Sequence, residues 1–152
     1  MIEIFVDADA CPVKDEVYRV SARYDIFVVL VANTRIRTPE GLAVKMVVVD
    51  SGPDEADNWI AEHVRAGDIV ITADIPLAAR CLGAGCGALG TNGRPFNEDM
   101  IGGALATRQL KSDLRESGLA PGGPPAISAK DRSRFLSQLD NMVQAAMRKI
   151  PD

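Results

Sequence analysis

The run Ile26-Phe-Val-Val-Leu-Val-Ala32 constrains the fold more than any other stretch of the chain. It is a continuous apolar segment of strand length with no polar side. A strand of this kind must be covered on both faces, which is the situation of a strand inside a parallel sheet packed between helices. Other segments fit the same plan. Ile2 to Val6 is mostly β-branched and aromatic, and Val44 to Val49, Asp68 to Ala73 and the short Ala88 to Gly90 follow as further strands. Helical spacing appears between them, with Val13, Val17, Val20 and Tyr24 on one stripe of a helix that begins near Pro12. Further helices are expected over residues 53–66, 76–82 and 97–117. After the Gly- and Pro-rich loop 118–125, a last helix is expected, capped by Asp131 and carrying the stripe Phe135, Leu139, Met142, Ala146 and Ile150. Strands alternating with helices imply an α/β fold with right-handed crossovers, here with a central parallel sheet of about five strands.

At 152 residues the chain is expected to form a single domain spanning 1–152, large enough to bury a core. No apolar run reaches the ~20 residues of a membrane span. The N-terminus enters a strand at once, with an acid at Glu3, so no signal peptide is expected and a cytoplasmic location follows. Cys11, Cys81 and Cys86 form no C-x-x-C pair and His63 is the only histidine, which argues against a zinc site and for a reducing compartment. Acids near Cys11 disfavour its thiolate. Aromatics make up 5% of the chain, too few for a base-stacking platform. The GxGxxG at Gly85, Gly87 and Gly90 follows a helix instead of a strand and is read as coincidence.

The informative residues are the acids that end the strands. Asp7 and Asp9 close the first, Asp50 the third and Asp74 the fourth. In an open α/β sheet, sites form at the carboxyl ends of the strands. If the first and fourth strands are neighbours, about 4.8 Å apart, Asp7 and Asp74 come within reach of one cation. Asp54 and Asp57 share a face of the helix that starts at the same sheet edge. Asp54 and Glu55 also suit a helix N-terminus, but Asp57 lies deeper, beside the buried side marked by Trp59 and Ile60. Clustered carboxylates repel unless a cation intervenes, and an all-oxygen donor set favours Mg²⁺ or Mn²⁺. Such ions polarise phosphoryl oxygens and activate water. Arg35, Arg37 and Arg94 stand on loops after strands, where they can meet phosphates or simply be solvated. The charge is uneven: residues 1–100 hold 9 Lys+Arg and 16 Asp+Glu, and residues 101–152 hold 8 and 5. That asymmetry suits a metal-dependent enzyme acting on phosphates and equally a solvated basic helix.

The segments Asp54-Glu-Ala-Asp57 and Gly67-Asp-Ile-Val-Ile-Thr72-Ala-Asp74, with Asp7 closing the first strand, resemble the acid arrangement of PIN-domain nucleases. The whole chain resembles the YaiI/YqxD family of PIN-like bacterial proteins. The pieces that carry this are Val6 to Pro12, Asp50 to Asp57, Ile71 to Leu77, Thr91 to Arg94, Arg108 to Gly118, Gly123-Pro124 and Arg134-Phe135. The resemblance implies a three-layer PIN-like fold, with the C-terminal helix packed on or extending from the core. It also implies a metal-dependent ribonuclease acting on single-stranded RNA, with Asp7, Asp57 and Asp74 as catalytic metal ligands. The PIN pattern usually has one more acid, on a helix between the first two; Asp9 is the nearest substitute, so Asp7, Asp9, Asp57 and Asp74 are the expected metal ligands.

Two other readings stand beside this one. A module that binds metal or RNA without turnover needs only the acid cluster and the basic loops. A phosphatase of the haloacid-dehalogenase type also opens on a strand followed by D-x-D. That type wants Thr or Val two residues after the second Asp, where this chain has Cys11, and a lysine near a later strand end. The apolar stripe of the last helix fits either the core or a second copy of the chain.

Overall fold

The computed structural model describes residues 2–52, 54–97 and 127–148. The helix expected over 97–117, the loop 118–125 and Ile150 lie outside the described residues, apart from Asn97. Five parallel strands form the sheet: β1 (Glu3–Asp7), β2 (Phe27–Ala32), β3 (Val44–Val48), β4 (Ile69–Ile71) and β5 (Gly87–Leu89). Their order is β3-β2-β1-β4-β5, so the first strand is central and the chain reverses its direction of winding beside it. Ile4 is paired with Val28 on one side and with Ile69 on the other.

The helices are α1 (Lys14–Tyr24), α2 (Glu55–His63), α3 (Ile75–Gly83) and α4 (Ala129–Arg148). Alternation along the strands sorts them into layers. Ile4, Val6, Val28, Leu30, Ile69 and Ile71 face one side and pack with Val13, Val17 and Val20 around α1 and with Phe135, Leu139 and Val143 of α4. Phe5, Val29, Val31 and Val70 face the other, against Ala56 and Ile60 of α2 and Leu77 and Cys81 of α3. The result is a three-layer α/β protein, and its C-terminal helix packs on the core.

Several boundaries depart from the sequence expectation. The first helix does not begin at Pro12. Residues Ala8–Ala10 form a 3-10 turn, Pro12 and Val13 lie in a second turn, and α1 begins at Lys14. Helix α1 then ends at Asp25, whose φ of 53° is the left-handed conformation that closes many helices. Helix α2 stops at His63, three residues early, because Val64 is already extended. Strand β4 spans only Ile69–Ile71, so Asp74 is not a strand terminus. The last helix is capped by Ser128. Its hydroxyl accepts from the Asp131 amide at 3.1 Å and Asp131 accepts from the Ser128 amide at 3.3 Å, a reciprocal capping box. Its fully buried residue in the third turn of the stripe is Val143, with Met142 half-buried beside it.

Asp68 is buried, with 4% exposure, and its carboxylate accepts from the amides of Glu3 and Arg65, both at 2.9 Å. The acid therefore locks the start of β1 to the turn before β4. All three cysteines are free and buried. Burial raises each thiol above its usual range, to about 11 for Cys81 and about 12 for Cys86, which leaves them protonated and unreactive at neutral pH. No helix among the described residues is long and apolar enough to cross a membrane.

Candidate metal centre

The carboxyl ends of β1 and β4, where the winding reverses, hold the acids. Asp7 is the last residue of β1 and half-buried. Its Oδ2 accepts from the Thr72 hydroxyl at 3.1 Å, and the same hydroxyl accepts from the Asp74 amide at 2.9 Å. Thr72 is 1% exposed. It therefore ties the end of the central strand to the start of α3. Asp74 caps that helix, its Oδ1 accepting from the Leu77 amide at 2.8 Å. One carboxylate oxygen is committed to the cap and the other is left for a different partner.

Asp57 reaches the same place from α2. A helix that follows a strand in a parallel sheet runs back along it, so the first turn of α2 returns to the carboxyl edge. The electrostatics agree with this placement. Burial pushes the Asp57 carboxyl up to about 6, helped in turn by the charges of Asp74, Asp7 and Asp54. Burial also raises Asp7, where the Thr72 hydrogen bond opposes the shift and Asp74 and Asp9 add to it. Arg80 is the cation acting on Asp57, but its guanidinium donates to Asn58 at 2.8 Å. Asp7, Asp57 and Asp74 thus share one electrostatic neighbourhood. Among the described residues, no three His, Cys, Asp or Glu side chains stand close enough as placed to hold one ion.

The remaining sequence candidates separate. Asp9 lies exposed in the 3-10 turn and accepts from the Asn33 amide with both oxygens, at 2.8 and 3.1 Å. It braces β1 against the end of β2. Asp50 follows β3, two strands from β1. Arg35 and Arg37 are exposed on the loop between β2 and β3, and Arg94 is exposed after β5, so the arginines flank the acids from opposite sides of the sheet. Arg94 also lines a groove of about 560 Å³ together with Ala73, Ile75, Asn92, Phe96 and Arg134. Ala73 and Ile75 bracket Asp74, so this groove opens beside the acids. Its far wall is rigid. Gly93 has φ of 85°, and a Cβ there would lie 2.5 Å from the Phe135 amide nitrogen, so only glycine lets the turn press against α4.

Thr72 is the residue of the candidate site that spacing alone passes over. Its signal was the Thr-Ala-Asp spelling, but the role of the hydroxyl depends on β1 and β4 being neighbours. Thr72→Val keeps the side-chain volume and is expected to cost about 1–2 kcal/mol through the lost hydrogen bonds. It should also raise the Asp7 pKa further, because the hydroxyl is the group that lowers it. Urea unfolding and a carboxyl-carbon NMR titration of Asp7 check the two effects.

Fold and site together define a three-layer α/β protein with an acid cluster at the topological switch point. The family model described as "Uncharacterized BCR, YaiI/YqxD family" matches residues 5–145, and the chain belongs to that family. It is 56% identical over 151 residues to a UPF0178 protein of Parvibaculum lavamentivorans, covering 99% of each chain. A UPF0178 protein of Rhodopseudomonas palustris is 53% identical over 149 residues, 98% of this chain and 94% of the relative. One of Rhodospirillum rubrum is 51% identical over 148 residues, 97% and 99% of the two chains. No solved structure matches this chain.

Proposed function

We propose that the chain is a Mg²⁺- or Mn²⁺-dependent phosphodiesterase acting on RNA. The observation that carries this is the Thr72 hydroxyl tying Asp7, at the end of β1, to Asp74, at the start of α3, with burial and the charges of Asp74, Asp7 and Asp54 pushing the Asp57 carboxyl up to about 6. An arrangement of acids that raises its own pKa values is short of a positive charge. The donors are all carboxylate oxygens, the set that suits Mg²⁺ or Mn²⁺. Asp7, Asp57 and Asp74 would hold the cation, with Asp9 bracing the loop beside Asp7. When bound, the ion supplies Lewis acidity at a phosphoryl oxygen and a lowered pKa for water.

The chain's own groups do the rest. Thr72 hydrogen-bonds to Asp7 and opposes the rise that burial gives its pKa, the kind of support that outer hydrogen bonds give a metal ligand. Asp74 is held by its cap to Leu77. Arg35 and Arg37 on one side and Arg94 on the other would receive backbone phosphates of a strand crossing the switch point. Likeness to PIN nucleases points to the same acids and to single-stranded RNA. The D-x-D phosphatase reading is weaker, because both oxygens of Asp9 are taken by the Asn33 amide.

A second reading, metal or RNA binding without turnover, has one observation in its favour. As placed, the acids among the described residues do not converge on a single ion position. The test is cleavage of an end-labelled single-stranded oligoribonucleotide with Mn²⁺, Mg²⁺ or EDTA. The phosphodiesterase reading expects metal-dependent products that fall at least about 100-fold in Asp74→Asn, as when an electrostatic element of a catalytic site is removed. Metal binding with no product from any RNA selects the second reading.

A further inference from the structure

The opposite end of the sheet holds a second concave site. Helix α2 ends at His63, and among the described residues it leaves a groove over the amino-terminal half of the sheet face beside it. A groove of about 420 Å³ lies there, lined by Glu3, Phe5, Phe27, Lys45, Trp59 and Arg65 among others. Register explains the lining: Lys45 pairs with Val29 and Val29 with Phe5, so the three form a row across one face of the sheet. Glu3 and Asp7 are the two ends of β1, four residues or roughly 13 Å apart at the rise of a strand, so this groove is separate from the acid cluster.

Its walls are fixed. Phe5 and Trp59 are tilted aromatic neighbours with centroids 6.2 Å apart. His63 stacks on Trp59 at 3.8 Å and 9°, its Nδ1 hydrogen-bonded to the Trp59 carbonyl oxygen at 2.7 Å. Asp68 lines the groove too, but its carboxylate is consumed by the amides of Glu3 and Arg65. Lys45 and Arg65, both exposed, form no ion pair among the described residues. Among the described residues, Lys45, Arg65 and Glu3 have no side-chain ion pair and line the groove beside its aromatic rings. The volume falls in the range of small-molecule sites, about 300–1,000 Å³.

We propose that this groove binds a planar aromatic anion of mononucleotide size, its ring against the lining side chains Phe27 and Trp59 and its anionic group between Lys45 and Arg65. Base–aromatic stacking and a charge-assisted pair with Arg supply the recognition. The chain has one tryptophan, so its fluorescence reads this groove directly. Intrinsic fluorescence should be titrated with AMP, with salicylate as an aromatic carboxylate and with inorganic phosphate. The expected result is a saturable change tighter than about 1 mM with at least one aromatic anion, and none with phosphate. AMP alone identifies a nucleotide-type ligand, and salicylate alone identifies a carboxylate. The double variant Lys45→Glu/Arg65→Glu, at exposed positions, should keep its circular dichroism and weaken that binding about tenfold or more. No saturable change with either aromatic anion overturns the proposal. So does binding that persists undiminished in the folded double variant.

Discussion

Asp7→Asn is expected to move two measurements in opposite directions. Without metal the variant melts higher than wild type, and in calorimetric titration with Mn²⁺ or Mg²⁺ its binding is lost. Asp7 is half-buried, with Asp74 and Asp9 among the charges that raise its pKa. Replacing it by an amide removes repulsion from the cluster and keeps an oxygen that can accept from Thr72. Each kcal/mol so relieved raises the melting temperature of a chain this size by about 2–4 °C. The pH dependence has a definite sign. A carboxyl whose folded pKa is raised contributes stability that is full below its unfolded value, 3.8, and is lost as pH rises through the folded value, about 6 for Asp57. The metal-free protein should therefore lose stability between about pH 4 and pH 6 through these groups. Asp57→Asn should flatten that slope, and saturating Mn²⁺ at pH 7 should offset the loss. Wild-type binding in Asp7→Asn, or a lower metal-free melting temperature, would count against a cation site built on this acid.

Phe135→Ala is the largest expected loss of stability. Phe135 is fully buried and joins Leu139 and Val143 in the core shared with α1 and the sheet. Deleting a buried phenyl ring costs about 3–5 kcal/mol. Domains of this kind have about 5–15 kcal/mol in total, so about a fifth or more of the stability is at stake. Helix α4 is also held at its edges. Arg23 and Tyr24 of α1 both hydrogen-bond to Asp140, and Arg132 reaches the Pro12 carbonyl at 2.7 Å. Those surface and partly buried contacts are worth less than the lost ring. Urea unfolding of the variant should show a lower midpoint. A cost below about 1 kcal/mol would mean that α4 does not belong to the cooperative core.

The layers of this fold were legible in the sequence because apolar runs without a polar side allow only buried strands. Ile26–Ala32 became β2 almost residue for residue. Strand order was less legible, since one buried parallel strand carries the same pattern as another and nothing local names its neighbours. The errors fall where short-range geometry decides. The 3-10 turn after Asp7, the early end of α2 at His63 and the Ser128 cap each depend on a few dihedrals or one hydroxyl. In the candidate site, Asp7, Asp57 and Asp74 were readable as acids at one sheet edge. The turn of Asp9 toward Asn33 was not, because it follows from β2 lying beside β1. The Thr72 bridge was hidden for the same reason on the other flank.

Strand β1 is made first yet sits in the middle of the sheet, and that imposes an order on assembly. As the chain leaves the ribosome, β1 can pair with β2 once residue 32 has emerged, closing Glu3 on Phe27. Its other edge stays open until β4 is synthesised and Ile4 can meet Ile69. Until then the nascent half-sheet exposes an unpaired apolar edge, the kind of surface that invites pairing with a wrong chain. The same delay keeps Asp7 away from Asp57 and Asp74. The mutual repulsion of the acids is met only when the second half docks, so a cation held by them would act on the last step of folding and not on the first.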